Sequence, residues 1–292
     1  MKKWFHRIYV AVLVVVFVTS IVVLGSYFMR YKNSRDTQNA AVQQFTRPSA
    51  ATQQKTETGT GSAASSAAAQ GDQPAPADEM PAVPDHDPVY APIEVDFAEL
   101  QKVNKDIIGW IYCEDTVINY PVVYGRDNEY YLERNYLGNP DSSGAIFSDR
   151  ENEAGFSDAN VILYGHHMAD KTMFATLNNW MNEEYLEAHP VMWILTPEQD
   201  YRVEIFAGYI TSSDSQTYTV IHDADEDLQS YLDWVKKWSE IHPEVETPAE
   251  GHYVVLSTCD YSFDEARSAL HGRLVPVDSA GGVPIDASSA NK

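Results

Sequence analysis

The chain has 292 residues, 44% of them hydrophobic, which is enough for one domain with a real core and further segments outside it. Its 43 acidic against 20 basic residues leave a formal charge of −23. That excess excludes the basic patch a nucleic acid or an anionic lipid surface would need, and suits either a basic or amine-bearing partner or a plain solvated surface.

In chain order, Ile8 to Met29 is an uncharged apolar run. About 20 such residues span a bilayer as a helix. Lys2, Lys3 and Arg7 precede it, so residues 1–7 are expected in the cytoplasm and everything after residue 29 outside, although Arg30, Lys32 and Arg35 weaken that bias. A cleaved signal peptide is the alternative, but its apolar core is usually about 7–15 residues and no small-x-small cleavage site stands out after Leu24. From 30 to 92 the composition turns to Gln, Ala, Ser, Thr, Pro and Gly, too poor in large apolar residues to offset chain entropy. This stretch reads as a disordered low-complexity linker, and some sixty residues of coil would reach about 40–45 Å root-mean-square. Residues 93–278 are the expected folded domain and 279–292 a flexible tail.

Within the domain, Asp96-Phe-Ala-Glu99 reads as a capping box opening a helix to about Asp106. Strand-like runs follow at 109–113, 117–124, 145–147, 161–164, 191–195, 201–210, 252–258 and 266–277, rich in β-branched and aromatic residues. Asp127 to Glu133 reads as a short capped helix, and Thr172 as the cap of another through Phe174, Leu177 and Trp180. The clearest helix is 223–241, where Leu228, Tyr231, Leu232, Val235 and Trp238 recur at three and four with acids in the first turn. Eight strands with a few helices predict an α+β fold weighted toward β, a barrel decorated with helices.

Two strand ends carry chemistry. Tyr253–Leu256 leads into Ser257-Thr258-Cys259-Asp260, with Arg267 on the next strand, and Val161–Tyr164 leads into Gly165-His166-His167. A cysteine ending a buried strand is often an inert small hydrophobe. Against that stand the polar neighbours and Arg267, a cation that would favour the thiolate. A disulfide to Cys113, the second cysteine, is a competing reading for a domain outside the cell. The adjacent His166 and His167 point to opposite faces of an extended segment, so only one can meet Cys259. Metal binding by that pair lacks a second pair of ligands. Arg273 is the rival of Arg267 on the same strand.

Together, Ile162-Leu-Tyr-Gly-His-His-Met, Thr172-Met-Phe, Leu256-Ser-Thr-Cys-Asp, Asn119-Tyr-Pro-Val-Val-Tyr-Gly-Arg-Asp-Asn-Glu-Tyr-Tyr-Leu, Ile107-Ile-Gly-Trp-Ile and Gly144-Ala-Ile-Phe-Ser-Asp resemble the sortases, membrane-anchored cysteine transpeptidases of Gram-positive bacteria. The N-terminal helix and the long helix at 223–241 resemble class B in particular. The resemblance covers residues 93–277. It implies a closed barrel of about eight strands, with the long helix between the sixth and seventh. It also implies Cys259 as nucleophile, His166 as general acid/base, Arg267 as the cation stabilising thiolate or oxyanion, and the backbone N–H of Asp260 as an oxyanion donor. Asn128, Leu132, Ser213, Tyr218, Ser257, Thr258 and Asp260 fall at substrate-contact positions; Thr219 stands where an aliphatic residue would be expected. No cofactor or metal is implied. The implied partners are surface proteins bearing a C-terminal sorting signal cleaved after Thr, and an accepting amine of a peptidoglycan precursor such as lipid II, or a pilin lysine. A cell-wall cysteine hydrolase, a pilin-polymerising enzyme and a surface-tethered binding domain with a disulfide remain as alternatives.

Overall fold

Eight runs of alternating or continuous apolar residues form eight strands. The computed structural model, which describes residues 2–49, 90–224 and 226–278, closes them into one barrel. The strands are β3 (Ile107–Tyr112), β4 (Asn119–Tyr124), β5 (Ile146–Ser148), β6 (Asn160–Tyr164), β7 (Val191–Leu195), β8 (Asp200–Ser212), β9 (His252–Cys259) and β10 (Ala266–Val277), in the order β10-β8-β7-β3-β4-β5-β6-β9. β4 pairs with β5 and β6 with β9 in parallel, and the other neighbours are antiparallel. Closure leaves no open sheet edge. Ile111, Val122, Ile146, Val161, Leu163, Ile194, Val254, Leu256 and Leu270 belong to one buried apolar cluster.

The alternate residues face outward, where a helix covers them. Here α1 is Lys2–Phe45, α2 Phe97–Val103, α3 Glu183–Ala188 and α4 Glu226–Trp238. The last of these lies between β8 and β9, the sixth and seventh barrel strands, as expected. Its Leu228, Tyr231, Leu232 and Val235 pack with Ile162, Phe206, Tyr209, Tyr253 and Val255. Trp238, expected on that face, is 57% exposed. It sits at the margin of the stripe in the last turn, after which Ser239 leaves the helix and its Oγ accepts from the Gly208 N–H at 3.0 Å. Asp96 caps α2 as expected, accepting from the Glu99 N–H at 3.0 Å.

Two expected helices are absent. Over 127–133 the Asp127 carboxylate accepts from the N–H groups of Glu129 and Tyr130, at 3.0 and 2.7 Å, and so stabilises a turn instead. Thr172 caps nothing; its hydroxyl donates to Asp170 at 2.6 Å, and the only helical turn nearby is a 3-10 turn at Leu177–Met181.

The linker expectation fails over its first third. α1 continues without a break from the apolar run to Phe45, and Ser34, Gln38, Ala41 and Phe45 along one face are buried against the domain. β1 (Thr46–Pro48) then pairs antiparallel with β2 (Ile93–Val95), Pro48 opposite Ile93. The Ser49 N–H donates to the Pro92 carbonyl at 2.9 Å, so Ser49 and Pro92 lie side by side on the domain. Small side chains explain the misreading: Ser and Ala carry little hydrophobicity but let a helix lie close on a surface. Residues 50–89 of the expected linker and the tail 279–292 lie outside the described residues.

One core residue makes stability pH-dependent. His271 is 1% exposed, with its ring stacked on Tyr209 and Nε2 3.0 Å from the Tyr209 hydroxyl. Burial pushes its pKa down to about 3. The unfolded chain takes up this proton below about pH 6.5 and the folded chain does not, so stability is retained above 6.5 and lost by up to about 1.4 kcal/mol per pH unit as pH falls toward 3. Urea denaturation at pH 7 and pH 4.5 should give a clear drop in midpoint for the wild type and a smaller drop for His271→Gln.

Candidate active site

The parallel pairing of β6 with β9 builds the site. Tyr164 stands opposite Ser257, and the Gly165 N–H extends the ladder by donating to the Ser257 carbonyl at 3.0 Å. Two residues further along each strand, His166 and Cys259 come side by side on the same rim. On the other flank, antiparallel β10 sets Arg267 directly across from Cys259. The imidazole thus follows the end of β6, the thiol ends β9 and the guanidinium opens β10, and all three line one cavity of about 320 Å³.

Two glycines make room for the histidine. A Cβ on Gly165 would lie 2.5 Å from Ile146 Cδ1 and 2.8 Å from the Phe174 ring. Gly144, at φ +61°, would put a Cβ 2.7 Å from the carbonyls of Tyr131 and Leu132 and 3.1 Å from the His166 ring. The two histidines part as their alternation requires. His166 Nε2 donates to the Leu132 carbonyl at 2.7 Å and its ring lines the cavity, whereas His167 Nδ1 donates to the Cys259 carbonyl at 2.9 Å and stands edge-on to Tyr261. Because a carbonyl only accepts, His166 carries its proton on Nε2 in this arrangement, which leaves Nδ1 as its free nitrogen.

Asn128, Leu132, Ser213, Tyr218, Ser257 and Thr258 all line the cavity. Phe147, Tyr164 and Gly165 line it too and were not anticipated as contacts. The signal was present at Tyr164, whose side chain has the same parity along β6 as His166. Asp149 does not line the cavity but holds its wall. Its Oδ2 accepts from Tyr164 Oη at 2.7 Å and from Asn128 Nδ2 at 3.1 Å, while Asn128 Oδ1 accepts from the Arg150 N–H at 2.7 Å. Asn128 therefore has one N–H left for a ligand. On the opposite wall Tyr218 Oη lies 2.9 Å from Ser257 Oγ, and the Tyr164 and Tyr218 rings stack at 6.1 Å. Burial, reinforced by the Asp149 charge, pushes the Tyr164 phenol well up, and burial raises Tyr218 as well. Both stay protonated donors through neutral pH.

Asp260 departs from expectation. Its side chain turns away from the cavity to accept from Asn178 Nδ2 and the Ser262 N–H, each at 2.8 Å, and its own N–H donates to the Ala266 carbonyl at 2.9 Å. Burial disfavours the charge, but the bonds from Ser262, Asn178 and Ser268 hold the carboxyl below its ordinary range. Neither its carboxylate nor its N–H is offered to a ligand in this arrangement, so the oxyanion role expected of that N–H is not met. Thr219 is likewise outside the cavity, its hydroxyl bonded to the Gln216 carbonyl.

Arg267 keeps donors to spare. One terminal nitrogen donates to the Ala266 carbonyl at 3.0 Å and the other pairs with Glu265 at 3.2 Å, out of five N–H groups on the fork. Arg273 lies six residues along β10, roughly 20 Å away, opposite Tyr253 and 3.8 Å from Glu204. Both cysteines are free thiols. Cys113 is 1% exposed beside the Val191 carbonyl, and burial pushes its pKa up to about 12, so it is a poor nucleophile. Among the described residues no cluster of three or more His, Cys, Asp or Glu has the arrangement to hold a metal.

Comparison with known proteins bears on this geometry. Residues 111–276 match the family described as the sortase domain. Sortase B of Listeria monocytogenes is 36% identical over 189 residues, which cover 64% of this chain and 77% of that protein. The substrate complex of Staphylococcus aureus sortase B superimposes with a TM-score of 0.58 at 32% identity, covering 62% of this chain and 85% of the other. Clostridium perfringens sortase B gives 0.58 at 29% identity, covering 61% and 98%.

Asp149 is 7% exposed and accepts from three donors, the third being the Glu151 N–H at 2.8 Å. Asp149→Asn turns an N–H₂ group toward donors and is expected to cost about 1–3 kcal/mol in urea denaturation, against about 0.5–1.5 kcal/mol for Tyr164→Phe.

Proposed function

The chain belongs to the sortase family, in its class B branch, and is a cysteine transpeptidase; from that premise we propose which residues do the chemistry and on what. The observation that carries the assignment is the register that brings His166, Cys259 and Arg267 to the ends of adjacent strands around one cavity.

Cys259 passes its proton to Nδ1 of His166 and attacks as the thiolate, the nucleophilic form of a cysteine. Its sulfur adds to the carbonyl carbon of a Thr in a sorting signal near the C-terminus of a surface protein, and the carbonyl oxygen takes the negative charge. Arg267 donates to that oxyanion. Collapse breaks the peptide C–N bond, His166 gives a proton to the departing amine, and a thioester remains on Cys259. The hydrogen bond from Nε2 to the Leu132 carbonyl keeps the ring in place, so the exchanged proton travels on Nδ1. An acceptor amine, from a peptidoglycan precursor or from a pilin lysine, then attacks the thioester and gives its proton back through His166. The new amide leaves and the thiolate returns.

Asn128, Leu132, Ser213, Tyr218, Ser257 and Thr258 are the residues we assign to the sorting signal. The S. aureus neighbour is a substrate complex, which supports reading the equivalent cavity here as a peptide groove. Residues 8–29 we read as the membrane span, with 1–7 on the cytoplasmic side and the domain outside; α1 is long and apolar enough to cross a bilayer.

Cys259→Ala should abolish cleavage of a sorting-signal peptide while Cys113→Ala leaves it near wild type; an active Cys259→Ala enzyme rejects the assignment. Arg267→Ala should lose about 10²–10³ in kcat, and Arg273→Ala only a few-fold. Mass spectrometry with rising concentrations of an amine should show amide product displacing acid. Acid product alone at high amine would identify a hydrolase.

A further inference from the structure

The anchor helix has no joint between the bilayer and the domain. Met29 closes the 22-residue apolar run that begins at Ile8, about 33 Å of helix against a hydrocarbon core about 30 Å thick, so the span stands close to upright. Tyr31, two residues on, already packs against the barrel's apolar cluster. Arg35 pairs with Asp170 at 3.0 Å, and the buried face from Ser34 to Phe45 continues the contact. Phe45 and Ala41 join the cluster of Leu100, Trp110, Trp193 and Leu195, and the Phe45 carbonyl accepts from the Asp96 N–H at 2.9 Å.

Polar headgroups occupy about 5–7 Å on each side of the core, four or five residues of helix at about 1.5 Å each, that is Arg30 to Ser34. Arg30, Asn33 and Ser34 share a cleft of about 710 Å³ with Glu133, Asp141 and His166. His166 also lines the cavity of Cys259. From that level α1 runs on to Phe45, in the cluster of Trp193 and Leu195. The active rim therefore lies beside the first turns of α1 beyond the bilayer.

We infer that α1 holds the domain with its His166–Cys259 rim against the headgroup layer of the bilayer, so that the face formed by His166, Glu133, Asp141 and Asp170 is a membrane-facing surface. This rests on the reading of α1 as a membrane span. The helix imposes the placement, not charge, since Glu133 and Asp141 would repel an anionic surface. A substrate still held in the bilayer by an apolar tail meets the thiol without the domain having to move, whereas a domain on a sixty-residue tether would have to search for it.

The test uses the full chain in phospholipid vesicles carrying a headgroup-linked quencher. A fluorophore is attached to Cys259 by a thiol reagent, Cys113 being buried. The control places the same fluorophore at Glu198→Cys in a Cys259→Ala background, on the exposed turn between β7 and β8 at the opposite end of the barrel. Quenching at Cys259 should exceed that at position 198 several-fold. Six Gly/Ser residues inserted between Met29 and Arg30 should erase the difference while leaving cleavage of a soluble sorting peptide unchanged. Equal quenching at the two positions, or a difference that survives the insertion, overturns the inference. The fluorescence arm needs no turnover, so its failure is separate from a failure of the transpeptidase assignment.

Discussion

The parallel register between β6 and β9 is the constraint on which the site depends. Parallel strands end on the same rim, so the Gly-His that closes one meets the Thr-Cys that closes the other. A slip of one residue would turn either side chain to the opposite face. Burial on both sides forbids the slip: Val161 and Leu163 pack inward with Val254 and Leu256, while Ile162 and Val255 pack outward beneath α4. The hydrophobic effect thus fixes a polar geometry, and the helix that covers the barrel wall contributes to the alignment of groups it never touches.

Around that alignment the cavity walls are held by polar side chains that already have partners. Asp149 ties Asn128 to Tyr164, and Tyr218 is tied to Ser257, so the walls meet a ligand with few adjustable groups. Such preorganisation lowers the entropy lost on binding. Thr258 Oγ1 is the exception, buried without a hydrogen-bond partner beside Cys259.

α1 docks by the same sparing use of contacts. A helix that is apolar all round from Ile8 to Met29 gives way, within five residues, to one whose buried face is built from Ser34, Gln38, Ala41 and Phe45. Small residues let the backbone approach the barrel closely, and the aromatic ring at the end fixes the position. Composition marked this stretch as linker because composition counts apolar bulk, and close approach needs little of it.

Sequence alone determined the apolar span, the eight strands, the capped α2, the long helix over the barrel, and the order His166, Cys259, Arg267 along the chain. These are legible because each is written in a local period or a contiguous run. The resemblance to sortases, not spacing, favoured Arg267 over Arg273, and pairing with β9 then set Arg267 across from Cys259. Tertiary structure decided what no local period encodes. It paired β6 with β9, split the roles of His166 and His167, turned Asp260 away from the cavity, made a turn of 127–133, left Trp238 in solvent and docked α1 on the domain. Each of these depends on which surfaces meet, and partners far apart in sequence leave no periodic trace of their meeting.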